Sequence, residues 1–222
     1  MVLKSEKFRI MIYNELHDRD QGDEISKLIL RNPILSLKLL KYLPKELNIV
    51  LGASEIVQPG WIPTEIDFID ITRESDWKEL FLNRSIDRIL AEHVWEHLAE
   101  EEGIVAAKNC YKYLKSGGRI RIAVPDGLHP SSEYIEYVKP GGVGAGAEDH
   151  KVLYTFKSLQ QLFEAAGFKV QLLEYWDENR KFHHNKWDSN DGLVLRSKDF
   201  DERNKIKKLS YTSIILDGIK NE

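Results

Sequence analysis

The chain has 222 residues, 42% of them hydrophobic and 31% charged, and a formal net charge of −4. That length suits one domain with appendages, and the composition is that of a folded water-compatible chain. The acidic balance argues against a broad phosphate-binding surface, so no nucleic-acid partner is expected, and no apolar run approaches the roughly 20 residues of a membrane span.

The start, MVLKSEKFRI, lacks the long apolar core of a signal peptide, and a cytoplasmic protein is expected. Residues 1–46 read as an N-terminal helical extension. Within it Asn32 and Pro33 mark a helix start, and Ile34, Leu35, Leu39, Leu40 and Leu43 form an apolar face. That face must pack on the domain or on another subunit, so a homodimer is among the expectations.

Residues 47–222 read as an α/β domain. Short apolar runs alternate with helical stretches, the pattern of a mostly parallel, doubly wound sheet. Leu47 to Leu51 is the first strand, Trp61 to Ile66 and Phe68 to Ile71 are extended, and Ser75 to Leu82 suits a short helix. Ile86 to Leu90 is another buried strand. Ala99 to Leu114 is a helix, with Glu100 to Glu102 near its positive end and Lys112 near its negative end. Ser116, Gly117 and Gly118 stop it. The single cysteine, Cys110, lies in this helix and excludes an internal disulfide and a multi-cysteine metal site.

Arg119 to Val124 alternates as a strand that Pro125 closes. The following loop, to about Lys151, carries GGVGAG, which reads as a flexible lid because it does not sit between an apolar strand and a helix. Thr155 to Ala166 is a helix ended by Gly167, Phe168 to Tyr175 a strand, and Tyr211 to Ile219 a last strand. Residues 176–208 form an insertion too long for a mere connector. Its Trp176, Phe182 and Trp187 read equally as an acceptor platform or a satellite core.

The chemistry concentrates at strand ends. LNIVLGAS runs an apolar strand into Gly52, and TEID follows a short way on. In such sheets ligands bind beyond the carboxyl ends of strands, where a glycine lets backbone come close and a carboxylate can take two ribose hydroxyls. Gly52 and Glu65 suit those roles. In order, LNIVLGAS, GWIPTEIDFIDI, SIDRILAEHVWEHL, CYKYLKSGGRIRIAVPD and DHKVLYTFKSLQQLFEAAGFKV resemble the class I S-adenosylmethionine-dependent methyltransferase family across nearly all of Leu47 to Ile219. GWIPTEID, EHVWEHL and WDSNDGLVLRS look like a branch of predicted methyltransferases with unassigned acceptors.

The resemblance implies a Rossmann-like sheet of seven strands and S-adenosylmethionine as cofactor. It places Gly52, Ala53 and Ser54 by the methionine half, Glu65 at the ribose, Asp70 and the Ile71 backbone at the adenine, and Ala91, Glu92 and His93 alongside the sulfonium. Two features depart from the family's pattern: Ser54 stands where a glycine is usual, and Gly52 to Gly60 is too short for a crossover helix. A hydroxyl acceptor needs a base, for which His150 is the first candidate, His93 the second and Asp126 a third. The acceptor is expected to be a polar small molecule or glycan.

Other readings stay open. A methyltransferase-fold binding module without activity is one. His93, Glu96 and His97 also spell H-x-x-E-H, the pattern of inverted zinc metallopeptidases, with Glu164 as an arbitrary third ligand; the expectation here is no metal. His183 and His184 are adjacent and make a poor chelate.

Overall fold

The computed structural model describes residues 46–54 and 58–221. The N-terminal helical extension, with its Leu-rich face, lies outside the described residues apart from Glu46. Seven strands form one sheet: β1 (Asn48–Leu51), β2 (Trp61–Thr64), β3 (Ile86–Glu92), β4 (Leu114–Pro125), β5 (Lys169–Trp176), β6 (Phe182–His184) and β7 (Ser213–Ile219). Their order is β2-β1-β3-β4-β7-β5-β6. Strands β1 to β5 run one way, with β7 inserted antiparallel between β4 and β5 and β6 antiparallel at the edge. This is the mostly parallel, seven-stranded α/β sheet of Rossmann-like type that the resemblance implies, and among the described residues the helices of its main core pack on one face.

The helices are α1 (Glu74–Leu80), α2 (Glu100–Tyr113), α3 (Ser132–Val138), α4 (Phe156–Ala165) and the single turn α5 (Arg203–Ile206). The N–H of Ala99 donates to Glu102 at the start of α2, and Thr155 and Ser158 form reciprocal bonds at the start of α4. Phe68 to Ile71, expected to be extended, lies instead between two turns that it partly forms. The Asp70 carboxylate accepts bonds from the Thr72 N–H and hydroxyl, and this local bonding competes with an extended ladder. Pro63 lies in β2, which pairs only with β1 among the described residues, so its missing N–H costs no ladder bond on the open side.

Strand alternation sorts the core onto two faces. Ile49, Leu51, Ile89, Ala91, Ile120, Ile122, Ile214 and Leu216 pack with Trp77 of α1, Ala106 and Tyr113 of α2 and Phe163 of α4. Cys110 lies in this layer as a buried free thiol, and burial pushes its pKa up. The intervening residues Val50, Leu90, Ala123, Leu173 and Ile215 make a second face, covered by Trp61, Val194 and Trp187. Among the described residues no helix contributes to that second layer. The connection from β1 to β2 is too short to supply one, and an irregular run of the insertion, residues 187–198, covers the face instead.

An irregular segment laid on a sheet brings backbone polar groups that need partners. Arg121 of β4, fully buried, supplies several. Its Nε and Nη2 donate to the two oxygens of Asp217 at 2.8 and 2.9 Å, and its Nη1 donates to the carbonyls of Asp188 and Gly192, both at 2.7 Å. The Trp187 ring lies over the guanidinium at 4.9 Å. Arg119 and Arg88 add ion pairs to Asp191 at 2.7 and 3.0 Å. Gln58 bonds Leu193 in both directions, Glu174 accepts from the Trp187 indole and the Lys198 N–H, and Glu92 accepts from the Leu195 and Arg196 N–H groups. The insertion is thus fastened at both ends and in the middle.

Removing one member of a buried ion pair strands the other. Arg121→Leu should therefore lower the unfolding free energy by about 3–5 kcal/mol, and the double variant Arg121→Leu, Asp217→Leu should recover part of that loss. Urea unfolding followed by tryptophan fluorescence measures both, and an Arg121→Leu midpoint equal to that of the parent would contradict this account.

Candidate active site at the strand carboxyl ends

The chain leaves β1 outward to β2 and then crosses back to β3 on the other side of β1. The strand order therefore reverses between β1 and β3, the place where open α/β sheets form a crevice. Gly52, Glu65, Glu92, His93 and Asp126 all follow or end strands on that edge.

Gly52 has φ +58°, and a Cβ there would stand 2.7 Å from Val94 Cγ2, so both backbone conformation and space call for glycine. Ala53 is buried, and its N–H donates to the Thr64 carbonyl at 3.0 Å, linking the ends of β1 and β2. Ser54 also takes positive φ, +48°. Its N–H donates to a carboxylate oxygen of Glu65, which stays exposed on the rim. The serine hence departs from the glycine pattern in residue type while keeping a left-handed backbone.

The other expected cofactor residues are placed less uniformly. The carboxylate of Asp70 is held by Thr72 and by Arg73 at 3.1 Å, and the Ile71 carbonyl accepts from the Trp77 indole and Asn109 amide. Ala91 packs into the helical-side core. Glu92 departs from the expectation: its carboxylate is turned to the second face, where the backbone of Leu195 and Arg196 occupies it. Of Ala91, Glu92 and His93, only His93 brings a ring to this edge with polar atoms in a network.

His93 has φ +58°, unusual for a residue with a side chain, and its N–H continues the ladder to Ala123 at 2.8 Å. The H-x-x-E-H segment is consequently not a helix. A left-handed residue precedes a single 3-10 turn, Trp95–His97, held by the fully buried Trp95, whose indole donates to the Gly103 carbonyl and packs on Phe163. This geometry removes the metallopeptidase reading, which needs both histidines on one helical face. Glu164, its third ligand by sequence, is exposed on α4 and bonded to Gln160.

The turn drives Glu96 inward. His93 Nδ1 stands 3.0 Å from Glu96 Oε1, and His93 Nε2 stands 3.1 Å from the Ser213 hydroxyl, itself 2.8 Å from the Arg196 carbonyl. An ionised carboxylate only accepts, which favours a proton on Nδ1; the one Ser213 hydroxyl proton goes to the Arg196 carbonyl, so a bare Nε2 is bonded only when that hydroxyl turns from Arg196 to the ring. Burial acts to raise the pKa of Glu96, but the positive charge a protonated His93 places beside it, helped by His97, leaves it below the usual carboxylate value. Burial first, and the neighbouring His150 after it, hold the His97 pKa down.

His150 reaches the same carboxylate from another element. The Glu96 carbonyl accepts the N–H groups of Lys151 and Val152, which brings residue 150 alongside. Its Nδ1 lies 2.7 Å from the Val138 carbonyl, so that nitrogen holds the proton and Nε2 faces Glu96 Oε1 at 4.0 Å. His150 thus faces an interior carboxylate, not the crevice. The glycine-rich stretch before it is no lid among the described residues. It folds tightly under α3, where a Cβ on Gly144 would lie 2.4 Å from the Tyr137 carbonyl.

Asp126 is buried after β4, and its two oxygens accept the N–H groups of Trp176 and Leu128 at 2.7 and 2.9 Å. It joins two strand ends and is not presented to a ligand. His129 stacks on Tyr134 at 3.9 Å, and Tyr134 and His93 both pack on Tyr211. Trp176 and Phe182 of the insertion adjoin this group, while Trp187 joins the second-face core. His183 and His184 face different carboxylates, Asp177 and Glu174, and are not a chelate. Ser213, Tyr211 and Glu96's central position carried no signal in the sequence, because all three depend on β7 lying beside β4 and on a loop arriving from α3.

Burial raises the Asp126 pKa to about 6 from an ordinary 3.8, against the pull of its two N–H donors. A raised folded-state pKa gives stability that is present below the unfolded value and is lost as pH rises through about 6. Between pH 4 and 7 the parent should lose stability relative to Asp126→Asn by an amount of order 2–3 kcal/mol, measured by urea unfolding at each pH. Parallel profiles would contradict the assignment.

No family model matches the sequence, and no curated protein matches it. Among solved structures the chain is similar to a SAM-dependent methyltransferase from Archaeoglobus fulgidus, at 16% identity over 95% of this chain and 99% of that one, with a TM-score of 0.45. It is similar to a SAM-dependent methyltransferase and possible histamine N-methyltransferase from Thermotoga maritima, at 16% identity over 85% and 89% of the two chains, TM-score 0.47. A Haemonchus contortus phosphoethanolamine N-methyltransferase in complex with phosphomonomethylethanolamine and S-adenosylhomocysteine is similar at 14% identity and TM-score 0.43, over 86% of this chain and 53% of that longer one.

Proposed function

We propose that the chain is an S-adenosylmethionine-dependent methyltransferase acting on a hydroxyl of a polar small molecule or glycan. The observation that carries this reading is the reversal point between β1 and β3. There, left-handed Gly52 brings backbone close, Glu65 is held on the rim by the Ser54 N–H, and His93 ends β3. The donor set fits the cofactor: an exposed carboxylate with one oxygen anchored to backbone suits a ribose diol, and the Gly52 position leaves no room for a side chain.

Glu65 would hold the ribose, the backbone of 52–54 the methionine end, and Asp70 with the Ile71 backbone the adenine side. The cofactor supplies an already activated methyl group, and the chain's own task is mainly to align the acceptor oxygen and exclude water. The acceptor's proton goes to Nε2 of His93. Glu96, with Oε1 3.0 Å from Nδ1, would stabilise by its charge the imidazolium that forms, and the Ser213 hydroxyl stands 3.1 Å from Nε2. His93 takes this role in preference to His150, whose Nε2 faces Glu96, and to Asp126, whose oxygens are both engaged.

A second reading, a binding module of this fold without transfer, is favoured by the nine-residue connection from Gly52 to Gly60 and by Val94 packed against Gly52. Transfer separates the two. Calorimetry should find binding of S-adenosylmethionine and S-adenosylhomocysteine, and Glu65→Ala should weaken it roughly 10–100-fold through the loss of charged hydrogen bonds. With an acceptor drawn from a panel of sugars and polar metabolites, His93→Ala should slow transfer roughly 10²–10⁴-fold with cofactor affinity unchanged. Absence of binding of either cofactor form at millimolar concentration would sink the enzyme reading, and full activity in His93→Ala would remove the base from it.

A further inference from the structure

Glu96 is wholly buried, yet neither of its carboxylate oxygens accepts an aligned hydrogen bond among the described residues. Oε1 has only the off-axis approaches of His93 and His150, and no polar partner meets Oε2. An ionised carboxylate left in this state is costly unless a positive charge completes it. One coordinating atom each from Glu96, His97 and His150 lies within 4.8 Å of the others. The His150 ring already has the orientation of a metal ligand, because Nδ1 is committed to the Val138 carbonyl and the bare Nε2 points at the carboxylate. The rings of His97 and His150 meet edge to face at 4.8 Å between centroids, which puts the two imidazoles side by side beside the carboxylate.

We propose that Glu96, His97 and His150 form a binding site for one divalent transition ion of the zinc class. Two imidazoles and one carboxylate are a donor set that such ions take with a fourth position left to water, whereas magnesium and calcium prefer oxygen donors. Zinc–nitrogen bonds of about 2.0–2.1 Å imply ligand separations of roughly 3.3 Å, so the present spacing closes by about 1.5 Å at its widest. The three ligands come from the 3-10 turn after β3 and the loop after α3. The ion would tie that loop to the turn after the strand end. Because this proposal concerns metal binding, its outcome is independent of whether the chain transfers methyl groups.

The test uses full-length protein stripped with a chelator and dialysed against zinc chloride, with metal counted by plasma emission. The expected result is about one equivalent of zinc per chain and, at free zinc roughly 100-fold above Kd, a rise in Tm of roughly 5–10 °C. Magnesium should give neither. His97→Ala and the milder His97→Gln should each lose the equivalent and the Tm rise while keeping the parent's circular dichroism, and His150→Ala should do the same. Cobalt(II) should show the visible bands of a low-coordinate site in the parent and lose them in His97→Gln. The variant His183→Ala, His184→Ala should keep zinc. No bound zinc in the parent, or zinc kept by the folded His97 and His150 variants and lost from the His183, His184 variant, would overturn the proposal.

Discussion

Arg121 stands in the middle of the sheet's second face, and the covering of that face depends on it. A central strand with both sides buried needs something laid over each side. Helices α1, α2 and α4 cover one. The connection from β1 to β2 is too short to bring a helix to the other, and among the described residues the layer there is the irregular run around Trp187 and Val194. Such a run is stable against a sheet only if its carbonyls and N–H groups find partners. Arg121 meets two of those carbonyls and is itself neutralised by Asp217 on the neighbouring strand. Glu92, Glu174 and Gln58 satisfy further backbone groups.

That arrangement reaches the carboxyl ends of the strands, where the candidate site lies. Glu92 is spent on fastening the insertion, and the left-handed backbone of His93, the residue after it, turns the chain away from β3. Trp95 then buries itself and swings Glu96 inward. The Arg196 carbonyl, placed by the same fastening, meets the Ser213 hydroxyl that stands beside His93. One covering segment thereby holds the sheet and shapes the surroundings of the imidazole.

Glu96 occupies the centre of the polar cluster because the loop carrying His150 to Val152 converges on the turn that holds His93 and His97. Its backbone carbonyl receives Lys151 and Val152, and its side chain lies between His93 and His150. A carboxylate offers four lone-pair directions, and the described side chains use few of them well. Such a group is costly in a dry interior unless a positive charge or a donor completes it.

The sequence by itself determined most of the sheet, because alternating apolar residues and glycine or proline stops are local signals that survive tertiary packing: the strands expected from Leu47, Trp61, Ile86, Arg119, Phe168 and Tyr211 onward have counterparts, whereas Phe68 to Ile71 does not and the edge strand β6 carries no such signal. It also located the strand-end glycine and the Glu65 carboxylate, since both follow directly from where strands stop. Only the tertiary structure decided which side chains meet. Asp126 and Glu92 look like site acids in sequence but are consumed by backbone N–H groups from distant segments. His150 and His93 look like alternatives but share one carboxylate, and His97 joins His150 instead of His93 because residue 93 leaves the helical path. These pairings arise from segments some fifty to a hundred residues apart, and no periodicity along a chain encodes which loop arrives beside which strand end.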